Sequence, residues 1–380
     1  MAATVPLTES SAKAVIANEI QQNGTIAFAR FMELALYAPS VGYYRNALQK
    51  FGKGGDFVTA PEISPLFSRC IATQCAELLT QLSGGDILEF GAGSGIMAAD
   101  ILLALKNKNQ LPNHYYILEL SSALQAIQKK TIAKKIPDYL DRVIWLSQLP
   151  EKNFQGVVLA NEVLDAMPVS RFCVTEKTME SYIFLENNLM VERFLKTNNA
   201  ALIDAIHHIK NDGVVFQHGY ISEINLWLNG WIKSISNFLL RGAVIIIDYG
   251  FVRREYYHPD RSMGTVMCHH QHRAHSDFFY QIGYQDITAH VDFTAVAEVA
   301  VAAGFSVDGF ATQAAFLMNC DLLSEIDLSA DAKTRFLQNQ QVMQLTSPSE
   351  MGELFKVIGL STGCDFSWMG FHAHNQLEKL

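Results

Sequence analysis

Chemistry in this sequence starts at Glu89-Phe90-Gly91-Ala92-Gly93-Ser94-Gly95, which follows a short apolar run and opens a helical stretch. Glycines at such a junction let the backbone turn sharply and approach a ligand, while the start of the helix offers free N–H groups. A dinucleotide site would space its glycines G-x-G-x-x-G over a pyrophosphate. Here the pattern is G-x-G-x-G behind an acidic residue, which suits an adenosyl ligand without phosphates; the third glycine comes one residue early for a nicotinamide dinucleotide. A tight strand-to-helix turn with no ligand is the plain alternative. The next apolar run, Tyr115 to Leu120, carries Glu119 near its end. A carboxylate there can accept hydrogen bonds from both hydroxyls of a ligand ribose, as it also does in nicotinamide enzymes.

A second group lies at 160–168, ANEVLDAMP, where the fourth apolar run ends. Asn161, Glu162 and Asp165 put acceptors where open α/β sheets bind ligands, and two carboxylates match the fork of a guanidinium. Capping of a helix by Asn161 or Glu162 is the alternative. Asp248 and Tyr249 end the fifth run and share that rim. Residues 264–293 hold His269, His270, His272, His275 and His290, but their spacing fits no standard zinc pattern and no cysteine pair accompanies them, so no metal is expected. With Arg273, Asp277 and Asp286 they read as a substrate-facing loop, in which His270 and His275 are candidates. Gly42-Tyr43-Tyr44 and the stretch 54–62, ending in Glu62, are glycine-rich loops whose aromatic and acidic groups can cover a ligand or line a channel; packing of the tyrosines is the alternative.

Positioning these groups requires a doubly wound sheet. Short apolar runs at 86–90, 115–120, 142–146, 156–161 and 242–250 alternate with helical stretches. Helices are predicted over 8–22, with Thr8 and Ser10 as candidate caps, and over 25–37, 64–82, 198–210 and 222–240. Another starts at Asp292 and stops at Gly304. A hairpin-like stretch at 170–187 interrupts the rhythm, and 251–291 reads as irregular. The C-terminal part predicts a strand near 306–310, helices near 330–343 and 349–359, and a last strand at 365–371. The resulting division is a helical N-terminal segment (1–82), the first half of the core (83–169), an insertion (170–221) and the second half with its His-rich loop (222–380).

The 380 residues are 49% hydrophobic with a formal net charge of −9, which excludes a disordered chain and a general electrostatic grip on nucleic acid. Six scattered cysteines suggest reduced thiols. No presequence and no apolar run long enough for a bilayer are apparent, so a cytoplasmic protein without membrane insertion is expected.

Taken in order, VGYY (41–44), GDFVTAPEISPLF (55–67), ILEFGAGSG (87–95), ANEVLDAMPV (160–169), IIIDYGF (245–251) and CHHQHRAHSDFFYQIGYQDITAHVDF (268–293) resemble, over nearly the whole chain, the MidA-like family of S-adenosylmethionine-dependent methyltransferases. Its mitochondrial branch assists assembly of respiratory complex I. The resemblance implies a Rossmann-like class I core with a mostly parallel seven-stranded sheet and S-adenosyl-L-methionine as cofactor, leaving S-adenosyl-L-homocysteine. It implies protein-arginine methylation, with a complex I subunit or bacterial counterpart as partner, and a mitochondrial matrix location for a eukaryotic relative; whether the chain is a homodimer stays open. The cofactor loop then falls on Glu89, Gly91, Gly93 and Gly95, the ribose acid on Glu119, and the motif after strand four on Asn161, Glu162 and Asp165. Glu162 and Asp165 are the expected guanidinium-positioning pair, with Tyr43, Tyr44, Glu62, Asp248, Tyr249, His270 and His275 toward the substrate. A small-molecule methyltransferase and a non-catalytic assembly factor that binds the cofactor stay open.

Overall fold

A computed structural model describes residues 11–46 and 59–380. The N-terminal part runs α1 (Ala12–Asn23), β1 (Ile26–Ala27), α2 (Phe28–Tyr37), α3 (Ala60–Ile63) and α4 (Pro65–Leu82). Ser11 caps α1 through its hydroxyl; Thr8 and Ser10 lie outside the described residues. The alternating core follows: β2 (Asp86–Phe90), α5 (Ile96–Asn107), β3 (Tyr115–Leu118), α6 (Ser122–Lys135), β4 (Val143–Leu146) and β5 (Phe154–Asn161). Next come β6 (Ser170–Val174), β7 (Thr178–Glu186), β8 (Leu189–Lys196), α7 (Ala200–Asn211), β9 (Tyr220–Ile224), α8 (Leu228–Phe238) and β10 (Leu239–Phe251). The chain ends with α9 (Arg253–Tyr256), β11 (Met267–His270), β12 (Arg273–His275), β13 (Asp286–Thr288), β14 (Val291–Asp292), α10 (Phe293–Ala302), β15 (Ser306–Thr312), α11 (Gln313–Asn319), α12 (Ala332–Thr346), α13 (Met351–Leu354) and β16 (Phe355–Thr362).

The central sheet has the order β15-β16-β10-β5-β2-β3-β4. From β10 to β4 every neighbour is parallel, while β16 runs antiparallel between β10 and β15. The sheet holds eight strands instead of the expected seven because the two-residue β14 also pairs with β10. Along β10, Ala243, Ile245 and Ile247 enter one core and Val244 and Ile246 the other. Burial on both faces explains the unbroken apolar run, as parallel sheets require. The strand order reverses between β2 and β5, so a crevice opens beyond their carboxyl ends.

A second sheet, β1-β7-β6-β9 with β8 on β7, joins the N-terminal segment to the insertion: Ile26 and Ala27 pair with Ile183 and Tyr182. Two local expectations fail here for one reason, that strand pairing overrides local helical spacing. Residues 220–224 form β9 against β6, so the helix expected from 222 begins only at Leu228. Residues 355–362 form β16, with both faces buried in the sheet, where a helix had been read, and no strand occupies 365–371. The stretch read as irregular from 251 carries the small antiparallel sheet β12-β11-β13. Among the described residues no helix is long and apolar enough to cross a membrane.

Candidate functional site

Beyond the ends of β2, β3 and β5 lies a cavity of about 440 Å³. Its floor is the glycine turn. Gly91 and Gly93 have φ of 61° and 53°, a left-handed backbone that costs a glycine least, and their turn runs into α5. Glu89 reaches the cavity from β2, is 2% exposed, and accepts the Tyr115 hydroxyl at 2.8 Å. Burial, with Glu119 nearby, pushes its carboxyl up to about 8. Gly95 does not line the cavity: a Cβ there would sit 2.9 Å from Gln128 Cα, so this glycine lets α5 and α6 approach.

Glu119 lines the cavity just past β3. One carboxylate oxygen accepts Ser121 N–H at 2.8 Å and the other accepts Gln128 Nε2 at 3.1 Å. Gln128, which sequence reading missed, also donates to the Gly93 carbonyl at 3.1 Å and accepts Trp145 Nε1 at 2.9 Å. It fastens Glu119 to the glycine turn. A buried glutamine on the helix after an acidic strand end was the available signal, but an amphipathic helix shows many polar residues and burial alone separates this one.

The wall after β5 is built on strained backbone. Glu162 has φ of 52°, uncommon for a side chain with a Cβ, and its N–H is held by the Ile247 carbonyl at 2.8 Å. Its carboxylate accepts Asn161 Nδ2 at 3.2 Å and the Ala60 N–H. Burial first, then Asp165, raise it to about 8. Asn161 Oδ1 is buried in the cavity wall with no hydrogen-bond partner among the described residues, an acceptor waiting for a donor.

Asp165 sits behind this wall, not in it. Its carboxyl, 6% exposed, takes the Tyr249 hydroxyl, and burial raises it to about 6. Asp248, fully buried, accepts the N–H groups of Leu164 (2.9 Å), Asp165 (3.2 Å) and Tyr249 (2.9 Å). Asp248 and Tyr249, expected toward substrate, therefore shape the loop that presents Glu162.

The N-terminal segment supplies the facing wall with Tyr37, Tyr44, Arg45, Thr59, Pro61 and Glu62. Tyr37 and Tyr44 stack with centroids 5.5 Å apart, and their hydroxyls donate to the Ala166 carbonyl and to Asp286 at 2.9 and 2.8 Å. Tyr37 was not singled out because an aromatic in a helical run reads as core. Glu62 accepts the Ser94 hydroxyl, which places it against the glycine turn. Tyr43 is 1% exposed in the α1–α2 core and is a packing residue. Of the expected loop 54–62, residues 54–58 lie outside the described residues. His270 and His275 are on β11 and β12, flank the Tyr280 ring and do not line the cavity. Among the described residues, the groups with metal-ligating proximity are His208, Asp212 and Glu298, and Arg253 donates to both of those carboxylates.

Four carboxylates, Glu62, Glu89, Glu119 and Glu162, face one cation, Arg45, among the described lining residues. That set repels a pyrophosphate. With the apolar bed of Phe90, Met97, Leu118 and Leu124 it fits an adenosyl group carrying cationic rather than phosphate charge.

Comparison with known proteins agrees. A family model described as "Putative S-adenosyl-L-methionine-dependent methyltransferase" matches residues 70–311. A Burkholderia thailandensis protein crystallised with S-adenosyl-homocysteine superposes with a TM-score of 0.91 and 40% identity, covering 97% of this chain and 96% of that one. The protein arginine methyltransferase NDUFAF7 homolog of Drosophila melanogaster is 25% identical over 91% of this chain and 83% of its own length. Human NDUFAF7, with the same activity in its name, is 26% identical over 90% and 81%.

Proposed function

Since the chain belongs to this family of S-adenosyl-L-methionine-dependent methyltransferases, with that molecule as its cofactor, we propose that it methylates an arginine side chain of a protein. The cofactor supplies an electrophilic methyl group on a sulfonium. Glu119 is placed for the ribose, the glycine turn for close backbone approach, and Glu89 and Glu62 for the cationic end. The observation that carries the acceptor assignment is Glu162, held on left-handed backbone in the cavity wall beside the unpartnered Asn161 Oδ1. A carboxylate and an amide oxygen together can take the fork of a guanidinium and aim one nitrogen. Asp165 contributes its field from behind, and Asp248 fixes the loop. The stacked tyrosine pair forms the facing side of the cavity. The names of the mitochondrial relatives support arginine, and the resemblance to their branch points to a subunit of respiratory complex I or its bacterial counterpart.

The test is transfer of labelled methyl from the cofactor to purified candidate subunits, with the modified residue located by mass spectrometry. Arginine labelling by the native chain, lost by about 10²-fold or more in Glu162→Gln while calorimetric cofactor affinity persists, is the expected result. Label on lysine or on a small molecule, or cofactor binding without turnover on any acceptor, overturns it.

A further inference from the structure

Glu119 stands just past β3, and α6 holds it there. Its N–H donates to the Leu146 carbonyl at the end of β4 at 3.2 Å, and its carbonyl accepts Gln125 Nε2 from α6 at 2.8 Å. Its carboxylate meets the backbone N–H of Ser121, at the start of α6, and Nε2 of Gln128, two turns further along that helix. Among the described residues Gln128 is the one side chain that donates to this carboxylate. A backbone donor follows the loop wherever it goes, whereas a side chain from the helix interior ties the carboxylate to a fixed element.

Gln128 has no accessible surface, and its amide has three neighbours that only one orientation satisfies. The Gly93 carbonyl and the Glu119 carboxylate are acceptors and take the two N–H bonds of Nε2, each at 3.1 Å. Trp145 Nε1, on β4, is a donor and meets Oε1 at 2.9 Å. Turned over, the amide would set its oxygen against two acceptors and its N–H groups against a donor, losing all three bonds where no water replaces them. The indole therefore sets the sense of the amide, and Lys129 Nζ lies 5.0 Å over the indole ring. Glycine at 95 admits this strut, since a Cβ there would sit 2.9 Å from Gln128 Cα. One side chain thus registers the carboxylate of β3 to the turn of β2, the two features assigned to different parts of one ligand.

We propose that Gln128, with its amide set by Trp145, is a positioning residue for the cofactor: acting through Glu119, it gives the site its preference for an intact ribose diol. The proposal rests on the reading of Glu119 as the ribose acceptor. A carboxylate already held by α6 meets the hydroxyls without first being ordered, whereas one released from the helix loses part of each new hydrogen bond to its own immobilisation. Gln128 makes no hydrogen bond to Glu62, Glu89 or Glu162, so its removal falls on the hydroxyls rather than on the cationic end of the ligand.

Calorimetry of the full chain with S-adenosyl-L-homocysteine and with its 2′-deoxy and 3′-deoxy analogues tests this and needs no methyl acceptor. The native chain should bind the parent ligand about tenfold or more tightly than either analogue. That ratio should fall to about threefold or less in Gln128→Leu, and also in Gln128→Glu, which keeps the size but sets a second carboxyl against Glu119. Trp145→Phe, which keeps Gln128 and frees its amide, should give a ratio in between. A merely structural role weakens all three ligands alike and leaves the ratio where it is. Native ratios in both Gln128 variants, with the ratio lost in Glu119→Ala, overturn the proposal and leave the Glu119 reading standing. A native ratio in Trp145→Phe overturns the part given to the indole. A native chain that binds all three ligands equally overturns the Glu119 reading itself, and the proposal with it.

Discussion

Replacing Glu89 by glutamine should make the ligand-free protein more stable at mildly alkaline pH while weakening its hold on the cofactor. In the unfolded chain this carboxyl titrates near 4.5; folded, it titrates near 8. Below about pH 4.5 both states carry the proton and Glu89 contributes no pH dependence. As pH rises between the two values the unfolded state releases its proton and the folded state keeps it, so stability falls. The full gap corresponds to roughly 5 kcal/mol, a ceiling that structural relaxation reduces. Glutamine keeps an oxygen for the Tyr115 hydroxyl, 2.8 Å away in the native site, and has no proton to lose. Urea unfolding of both proteins from about pH 5 to about pH 8 should show the variant gaining on the native chain by several kcal/mol across that window. Calorimetry at the upper end should show weaker cofactor binding, because the cationic amino-acid end of the ligand loses an ionisable partner. A stability difference that stays flat with pH would refute the reasoning, since Glu162, which titrates over the same window, is present in both proteins and drops out of the difference.

Gly95→Ala should destabilise by about 1–3 kcal/mol more than Gly304→Ala in thermal unfolding. Both have left-handed backbone, φ 81° and 91°, but a Cβ at 95 meets Gln128 Cα at 2.9 Å whereas one at 304 meets nothing within 4 Å. Asp248→Ala strips three buried backbone N–H groups of their acceptor and should cost roughly 2–4 kcal/mol, with turnover falling further than cofactor affinity; equal losses would show that it does not act through the Glu162 loop. Binding of an arginyl acceptor near neutral pH should release protons, because a guanidinium lowers the Glu162 carboxyl from about 8; calorimetry in two buffers of different ionisation heat should show the release in the native chain and not in Glu162→Gln.

What the sequence made legible was what local chemistry encodes. The alternation of apolar runs and helices gave the parallel sheet, and the glycine turn, Glu119 and the Asn161–Glu162 pair follow from strand ends in such a sheet. Asp292 caps its helix at Ala295 N as read. The rest depends on pairing between distant segments. Gly95 serves helix packing, Tyr43 is core and Tyr37 is cavity wall, distinctions set by contacts 30 to 130 residues away in the chain and invisible to spacing. The histidines of 269–275 looked chemical because imidazoles usually are, but β11 and β12 direct them to a small sheet of their own.

The cavity wall after β5 and the groups directly behind it concentrate carboxyls that a fold seeking stability would avoid. Glu162, Asp165 and Asp248 are buried near one another, their carboxyls all raised, and none forms an ion pair with lysine or arginine among the described residues. Backbone N–H groups, Asn161 and Tyr249 solvate them, which is enough to keep the loop folded and not enough to neutralise it. Such an arrangement is destabilising in isolation and becomes favourable when a cation enters. A neutral acceptor would leave that cost standing, whereas a guanidinium would remove it, so the electrostatics of this wall are consistent with the acceptor proposed above.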